Sequence, residues 1–311
     1  MTVAILCSGQ GPQHPDMFAL TGERPEAANL FARASTLLGG DPRTLVRTGT
    51  AESIHKNRTG QLLCCLQALA AACSLRNALS EGAIVAGYSV GEIAAWGVAG
   101  LFVMTDTLDL VASRAEAMDA AAAPGEGMLF IHGLKREAID KLCEGRDAAI
   151  AIVSPDDAFV LGGSGEALAA LAEKAKALTA SRVVELPITV ASHTGRLARA
   201  SGAFRSRLSQ VAVRPAPSPG MRLLSGIDGS PVIDVQSGLD KLAAQISHTV
   251  QWSDCLQGCM EGGASAFLEL GPGRALARMA VDAYPGVPAR SVEEFRTLDG
   301  IAAWLETASK R

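Results

Sequence analysis

The sequence predicts an α/β fold: a large α/β-hydrolase-like domain, 1–126 and 191–311, with an inserted ferredoxin-like small subdomain, 127–190. Three features of the chain point there. The first is the pentapeptide Gly87-Tyr88-Ser89-Val90-Gly91, set between a strand-like run, Ile84-Val85-Ala86, and a helix-like run, Glu92 to Trp96. A G-x-S-x-G turn between strand and helix pushes a serine hydroxyl out at the end of a sheet, at the positive end of the next helix. The second is a β-α-β-β-α-β order from Gly127 to Val190, the split ferredoxin-like pattern. The third is a late strand, Ala266 to Leu270, that stops at Gly271-Pro272-Gly273.

Taken in order, Val3 to Cys7 reads as the first strand and Ser8 to Pro15 as a Gly/Pro/Gln loop. Helical stretches follow, notably Gln61 to Leu79, before the strand at Ile84. Leu62 to Cys73 is the longest apolar run, and Gln67 interrupts it, which fits a buried helix and falls far short of a membrane span. Thr105 is placed as the N-cap of a helix to about Ala122, with Leu108, Val111, Ala115 and Met118 on one face. In the small subdomain, Met128 to Ile131, Ala148 to Val153, Ala158 to Leu161 and Arg182 to Leu186 read as strands, and Lys135 to Glu144 and Glu166 to Thr179 as helices. Arg196 to Val211 resumes as helix, and Arg214 to Gly220 is a Pro-rich loop.

Composition excludes several function classes. With 311 residues, 48% of them hydrophobic, the chain can bury a large core. A net charge of −4 without a basic block argues against nucleic acid as a partner. The N-terminal apolar run is too short for a signal peptide and has no basic leader. The seven cysteines form no C-x-x-C pair, their odd number argues against a disulfide framework, and no metal-ligand spacing occurs. A cytoplasmic protein with reduced thiols, no metal and no membrane contact is expected.

A nucleophilic Ser89 needs a base, and histidine is the usual one. His55 lies in a polar segment and His132 in a small-subdomain strand, leaving His14, His193 and His248. His193 follows a strand, has small neighbours and lies downstream of the serine, which favours it. Arg114 has only Leu110, Val111, Ala117 and Met118 at helical spacing, so no local carboxylate pairs with it. It is either a snorkelling or distantly paired arginine, or a fixed cation that takes an anionic substrate group through parallel hydrogen bonds. Gly271-Pro272-Gly273-Arg274 lacks the full P-loop and dinucleotide patterns and reads as a tight turn.

Together these residues resemble the malonyl-CoA:acyl-carrier-protein transacylase family nearly end to end. The family's G-Q-G-x-Q loop is matched by Gly9-Gln10-Gly11-Pro12-Gln13, its G-H-S-x-G elbow by Gly87 to Gly91, and its substrate arginine by Arg114. Its catalytic histidine is matched by Ser192-His193 and its histidine-orienting glutamine by Gln245. Tyr88 stands where the family has histidine, Cys7-Ser8 where Phe-Pro is usual, and Val153-Ser154-Pro155 where the family has Asn-Ser-Pro. Val190-Ala191-Ser192-His193 also lacks the phenylalanine-containing form associated with malonyl choice in polyketide acyltransferases. The Gly-Tyr-Ser-Val-Gly-Glu elbow, the Ser-Gly-Gln-Gly-Pro-Gln-His start and the length look most like the malonyl-transferase (epsilon) subunit of bacterial malonate decarboxylase.

The resemblance implies ping-pong transfer of malonyl from coenzyme A to a carrier-protein thiol. Ser89 is the expected nucleophile, His193 the base, and the Gln245 carbonyl its orienting acceptor. Val90 and Gln10 N–H groups are expected to form the oxyanion hole, and Arg114 to hold the malonyl carboxylate. The chain needs no cofactor of its own, and the phosphopantetheine-type thiol belongs to the carrier protein. A serine thioesterase, a housekeeping transacylase of fatty-acid or polyketide synthesis, and a non-catalytic docking subunit are the alternatives.

Overall fold

The computed structural model describes residues 2–79 and 82–308. One sheet is built from five parallel strands, β1 (Thr2–Cys7), β2 (Ala83–Gly87), β7 (Met221–Leu223), β9 (Ala264–Glu269) and β10 (Ala289–Ser291), in the order β10-β9-β1-β2-β7. Side chains alternate across this sheet. Val3, Ile5, Cys7 and Val85 pack under the helices Asn57–Ser74, Gly91–Val98 and Met104–Ala121, in a core closed by Trp96 and Phe31. Ala4, Leu6, Ile84 and Ala86 face the other way, onto the Trp252–Glu261 helix and the second sheet. Burial on both faces explains why these strands are apolar throughout instead of alternating with polar residues.

The second sheet holds β3 (Glu126–His132), β4 (Ala148–Ser154), β5 (Ala158–Ser164) and β6 (Arg182–Leu186), in the order β6-β3-β5-β4 with antiparallel pairing. That arrangement, with the helices Arg136–Cys143 and Gly165–Ala177 on one face, is ferredoxin-like. A two-residue strand from the large domain, β8 (Val250–Gln251), joins the β4 edge in parallel. Met128, Ile152 and Val160 share a core with Leu6, Ile84 and Trp252, so the two sheets are packed together and not merely tethered.

Two expected elements are displaced. The helix placed at Gln61 to Leu79 runs Asn57–Ser74, and Gln61 and Gln67 lie inside it, buried and hydrogen-bonded. Thr105 is not an N-cap. The helix begins at Met104 after an extended Val103, whose carbonyl accepts both the N–H and the hydroxyl of Thr107. No helix among the described residues is long and apolar enough to cross a membrane.

Candidate active site

The turn after β2 is held by backbone contact. A side chain on Gly91 would come within 2.1 Å of the Cys7 carbonyl oxygen, and one on Gly87 within 2.2 Å of the Gly91 backbone. Only glycine lets the chain reverse this close to β1. The reversal leaves Ser89 in the left-handed region, φ 56°. An L-residue pays about 1–2 kcal/mol for that conformation, strain of the kind found at functional sites.

Ser89 Oγ lies 2.7 Å from His193 Nε2. His193 is itself left-handed, φ 61°, almost fully buried, and tied by its N–H to the Ile246 carbonyl at 2.8 Å. Its Nδ1 is 2.6 Å from the main-chain carbonyl of Gln245, the C-cap of the Val235–Ala244 helix. A carbonyl can only accept, so Nδ1 carries the hydrogen and Nε2 offers its lone pair to the serine. The helix end thus does the work a carboxylate does in other triads: it is an uncommitted carbonyl at the negative end of the helix dipole. Burial, aided by the nearby Arg114 charge, lowers the His193 pKa from 6.5 to about 3, and the Gln245 carbonyl pulls the other way. The ring is therefore neutral, the form in which Nε2 can accept a proton.

Arg114 is 1% exposed, which excludes a snorkelling side chain. Its Nη1 donates to Gln61 Oε1 at 2.8 Å and its Nη2 to Gln245 Oε1 at 3.3 Å. Both partners are neutral amide carbonyls. Burial lowers its pKa to about 10, which still leaves a cation at neutral pH. The Gln245 Nε2 donates to the Ser89 main-chain carbonyl at 3.0 Å, so one side chain joins the cation to the elbow.

Gln10 follows Gly9, whose Cα faces the Tyr88 carbonyl and ring so closely that a Cβ would stand 2.9 Å from that oxygen. The loop is moored by Ser8 Oγ to Glu269 Oε1 at 2.6 Å and by Gln10 Nε2 to the Asn57 carbonyl at 3.3 Å. Among the described residues, neither the Gln10 nor the Val90 N–H donates to a protein acceptor. The Gly271 to Gly273 turn supports this loop: Gly271 abuts Ser8, and Gly273 N–H bonds Glu293 Oε2 at 2.8 Å. The next helix is not open to a phosphate, because Glu269 Oε2 takes the Ala277 N–H at 2.9 Å.

The other histidines are engaged elsewhere. His14 pairs with Glu293 at 2.8 Å, His248 faces the Ala244 carbonyl at 2.9 Å, His55 bonds the Ala51 carbonyl at 2.7 Å, and His132 pairs with Asp156 at 3.2 Å. Sequence reasoning missed Gln61, which orients Arg114, and Glu92, a buried acid bonded to Gln245. A glutamine in a buried apolar helix is a signal that could have found the first.

The family model for the acyl transferase domain matches residues 6–296. The chain belongs to that family. This acyl transferase is 32% identical over 307 residues to the malonyl CoA-acyl carrier protein transacylase of Mycobacterium tuberculosis, covering 96% of this chain and 99% of the relative. The crystal structure of the M. tuberculosis MCAT superposes with a TM-score of 0.89 at 32% identity, over 97% of this chain and all (100%) of that one. A malonyl-transacylase solved in complex with a type II polyketide-synthase acyl-carrier protein gives a TM-score of 0.89 at 25% identity, over 97% and 99% of the two chains. The acyl transferase fold therefore spans both sheets.

Proposed function

We propose that this acyl transferase moves a malonyl group from coenzyme A to the thiol of an acyl carrier protein through a malonyl-Ser89 ester. The observation that carries this reading is a buried, amide-held Arg114 cation joined to the Ser89–His193 pair through Gln245. His193 Nε2 takes the Ser89 proton as Oγ attacks the thioester carbonyl. The Val90 and Gln10 N–H groups hold the oxyanion, where preorganised donors contribute most. The tetrahedral intermediate collapses, the C–S bond breaks, and His193 returns the proton to the departing coenzyme A sulfur. The carrier thiol then gives its proton to His193 and attacks the ester, and Ser89 is released with that proton. Arg114 grips the free carboxylate in both half-reactions. The malonyl CoA-acyl carrier protein transacylases at about one-third identity support this choice of acyl group and acceptor.

The test is a product assay. With malonyl-CoA and a holo carrier protein, malonyl accumulates on the carrier thiol; release of free malonate at the same rate would make the chain a thioesterase. In the same assay Arg114→Ala lowers malonyl transfer by roughly 100-fold more than acetyl transfer, the scale of a lost bidentate charged hydrogen bond. Equal losses for both acyl groups would show that Arg114 does not read the second carboxylate.

The narrower role proposed is that of the malonyl-transferase subunit of malonate decarboxylase, supported by Tyr88 and the N-terminal loop. Tyr88 packs edge-on to Trp252, centroids 5.4 Å apart, and against the core cluster that holds Ile152 and Val160 of the small subdomain. At this position tyrosine ties the elbow to the second sheet. The expected acceptor is a carrier bearing the longer phosphoribosyl-dephospho-CoA thiol. Faster transfer to a phosphopantetheine carrier would instead assign the chain to fatty-acid or polyketide synthesis.

A further inference from the structure

The Glu92 carboxyl stands behind the reacting groups, and no step above uses it. It lies in the first turn of the helix after the elbow, is 1% exposed, and its Oε1 has no hydrogen-bond partner among the described residues. Oε2 accepts from Gln245 Nε2 and sits against Gly226. Gln245 Nε2 is shared with the Ser89 main-chain carbonyl, and Gln245 Oε1 faces Arg114 Nη2. Rotating that amide by half a turn would set its N–H groups against a guanidinium that can only donate. It would also set its oxygen against a carbonyl and a carboxyl oxygen that accept. Glu92 is thus half of what decides which end of Gln245 meets the arginine.

We propose that Glu92 is a positioning residue for acid-bearing acyl groups: it fixes the Gln245 amide with its oxygen on Arg114. The guanidinium is then oriented by two neutral carbonyls and keeps its remaining donors for the substrate carboxylate. An acid in direct contact would compete with that substrate group for the same donors. A carboxyl one amide away leaves those donors free. This inference rests on the malonyl-transfer reading above.

Burial raises the Glu92 pKa to about 7, the Gly226 N–H, Gln245 and Arg114 pull it back, and Asp228 pushes it further up. The Cys255 thiol also lies within its field. Oε2 can accept in either protonation state, so the amide stays fixed across this titration. The ionised form, however, adds a negative charge near Arg114 and weakens its hold on a second anion. Preference for malonyl over acetyl therefore declines as pH rises through about 7.

The test compares Ser89 acylation by malonyl-CoA and acetyl-CoA in single-turnover mass spectrometry, as a function of donor concentration, so that the coenzyme A moiety cancels in the ratio. In Glu92→Leu the acceptor is gone, and half-saturation by malonyl-CoA rises about tenfold more than half-saturation by acetyl-CoA. Glu92→Gln keeps an oxygen for Gln245, retains the preference, and loses its decline between about pH 6 and pH 8. Equal losses for both acyl groups in Glu92→Leu, or an unchanged pH dependence in Glu92→Gln, would overturn the proposal. Should Glu92→Leu not fold, Glu92→Gln decides: loss of the malonyl preference in the variant that keeps the acceptor would overturn the proposal. A wild-type protein that malonyl-CoA does not acylate would instead remove the malonyl reading itself, and with it this inference.

Discussion

Ser89→Ala leaves no acyl-enzyme: after exposure to malonyl-CoA the intact mass stays that of the free chain, and transfer falls by roughly 10⁶-fold, as when other serine nucleophiles are removed. The fold survives the change, because alanine meets the same left-handed backbone, φ 56°, that serine already tolerates, and no buried donor loses its acceptor. His193 Nε2 loses only the hydroxyl that donated to it. The nearby thiols cannot take over. Cys65 lies against the Val90 carbonyl at 3.5 Å, yet burial pushes its pKa up to about 12, and Cys7 and Cys64 are shifted the same way by burial. None is a thiolate at neutral pH, and the thiolate is the attacking form. A malonyl adduct persisting in the variant would move the nucleophile elsewhere and end the mechanism proposed above.

What could be read from the chain divides by range. The elbow was legible because its parts are contiguous: strand, two glycines and helix lie within Ile84 to Trp96. Both sheets were foreshadowed by their longer strands. The strands of two or three residues, β7, β8 and β10, were not, since they are too short to show a period of two and depend on neighbours already in place. Arg114 stood out as a cation without a local partner. Its partners lie 53 and 131 residues away in sequence, at Gln61 and Gln245, and nothing local announces them. Glu92 was missed for the opposite reason. An acid in the first turn of a helix is what the helix dipole favours, so its position looked ordinary.

The third member of the triad shows the same limit. Gln245 was expected to orient His193 by a carbonyl, and the sequence leaves open whether this is the side chain or the main chain. The structure divides the residue. Its main-chain carbonyl takes His193 Nδ1, while its amide serves Arg114, Glu92 and the Ser89 carbonyl. A Gln245→Ala change would thus leave the histidine's acceptor in place and strike the cation instead. In the proposed mechanism, base and substrate anchor are separable at one residue because backbone and side chain point in different directions from a helix end.

His193→Asn lowers the acylation rate by about 10²–10⁴-fold, the usual contribution of a positioned general base, with far less effect on half-saturation by the donor. Asparagine is the better probe than alanine because it keeps a polar side chain in the buried site, and φ 61° is a conformation it adopts readily. The pH profile separates a base from a mere packing group. A folded-state pKa of about 3 means that His193 stays neutral well below 6.5. Acylation of the wild type by acetyl-CoA should therefore hold its rate from about pH 8 down to about pH 5, with no acid limb near the pKa of a solvated imidazole. The same depression bears on stability. The unfolded chain binds a proton at this histidine below 6.5 while the folded one does not, so its contribution is full above 6.5 and is lost as pH falls toward 3. In His193→Asn that acid sensitivity of unfolding is reduced. An acid limb centred near 6.5 in the wild type, or acylation nearly intact in the variant, would place the base at another residue, with His14 and His248 the ones to replace next.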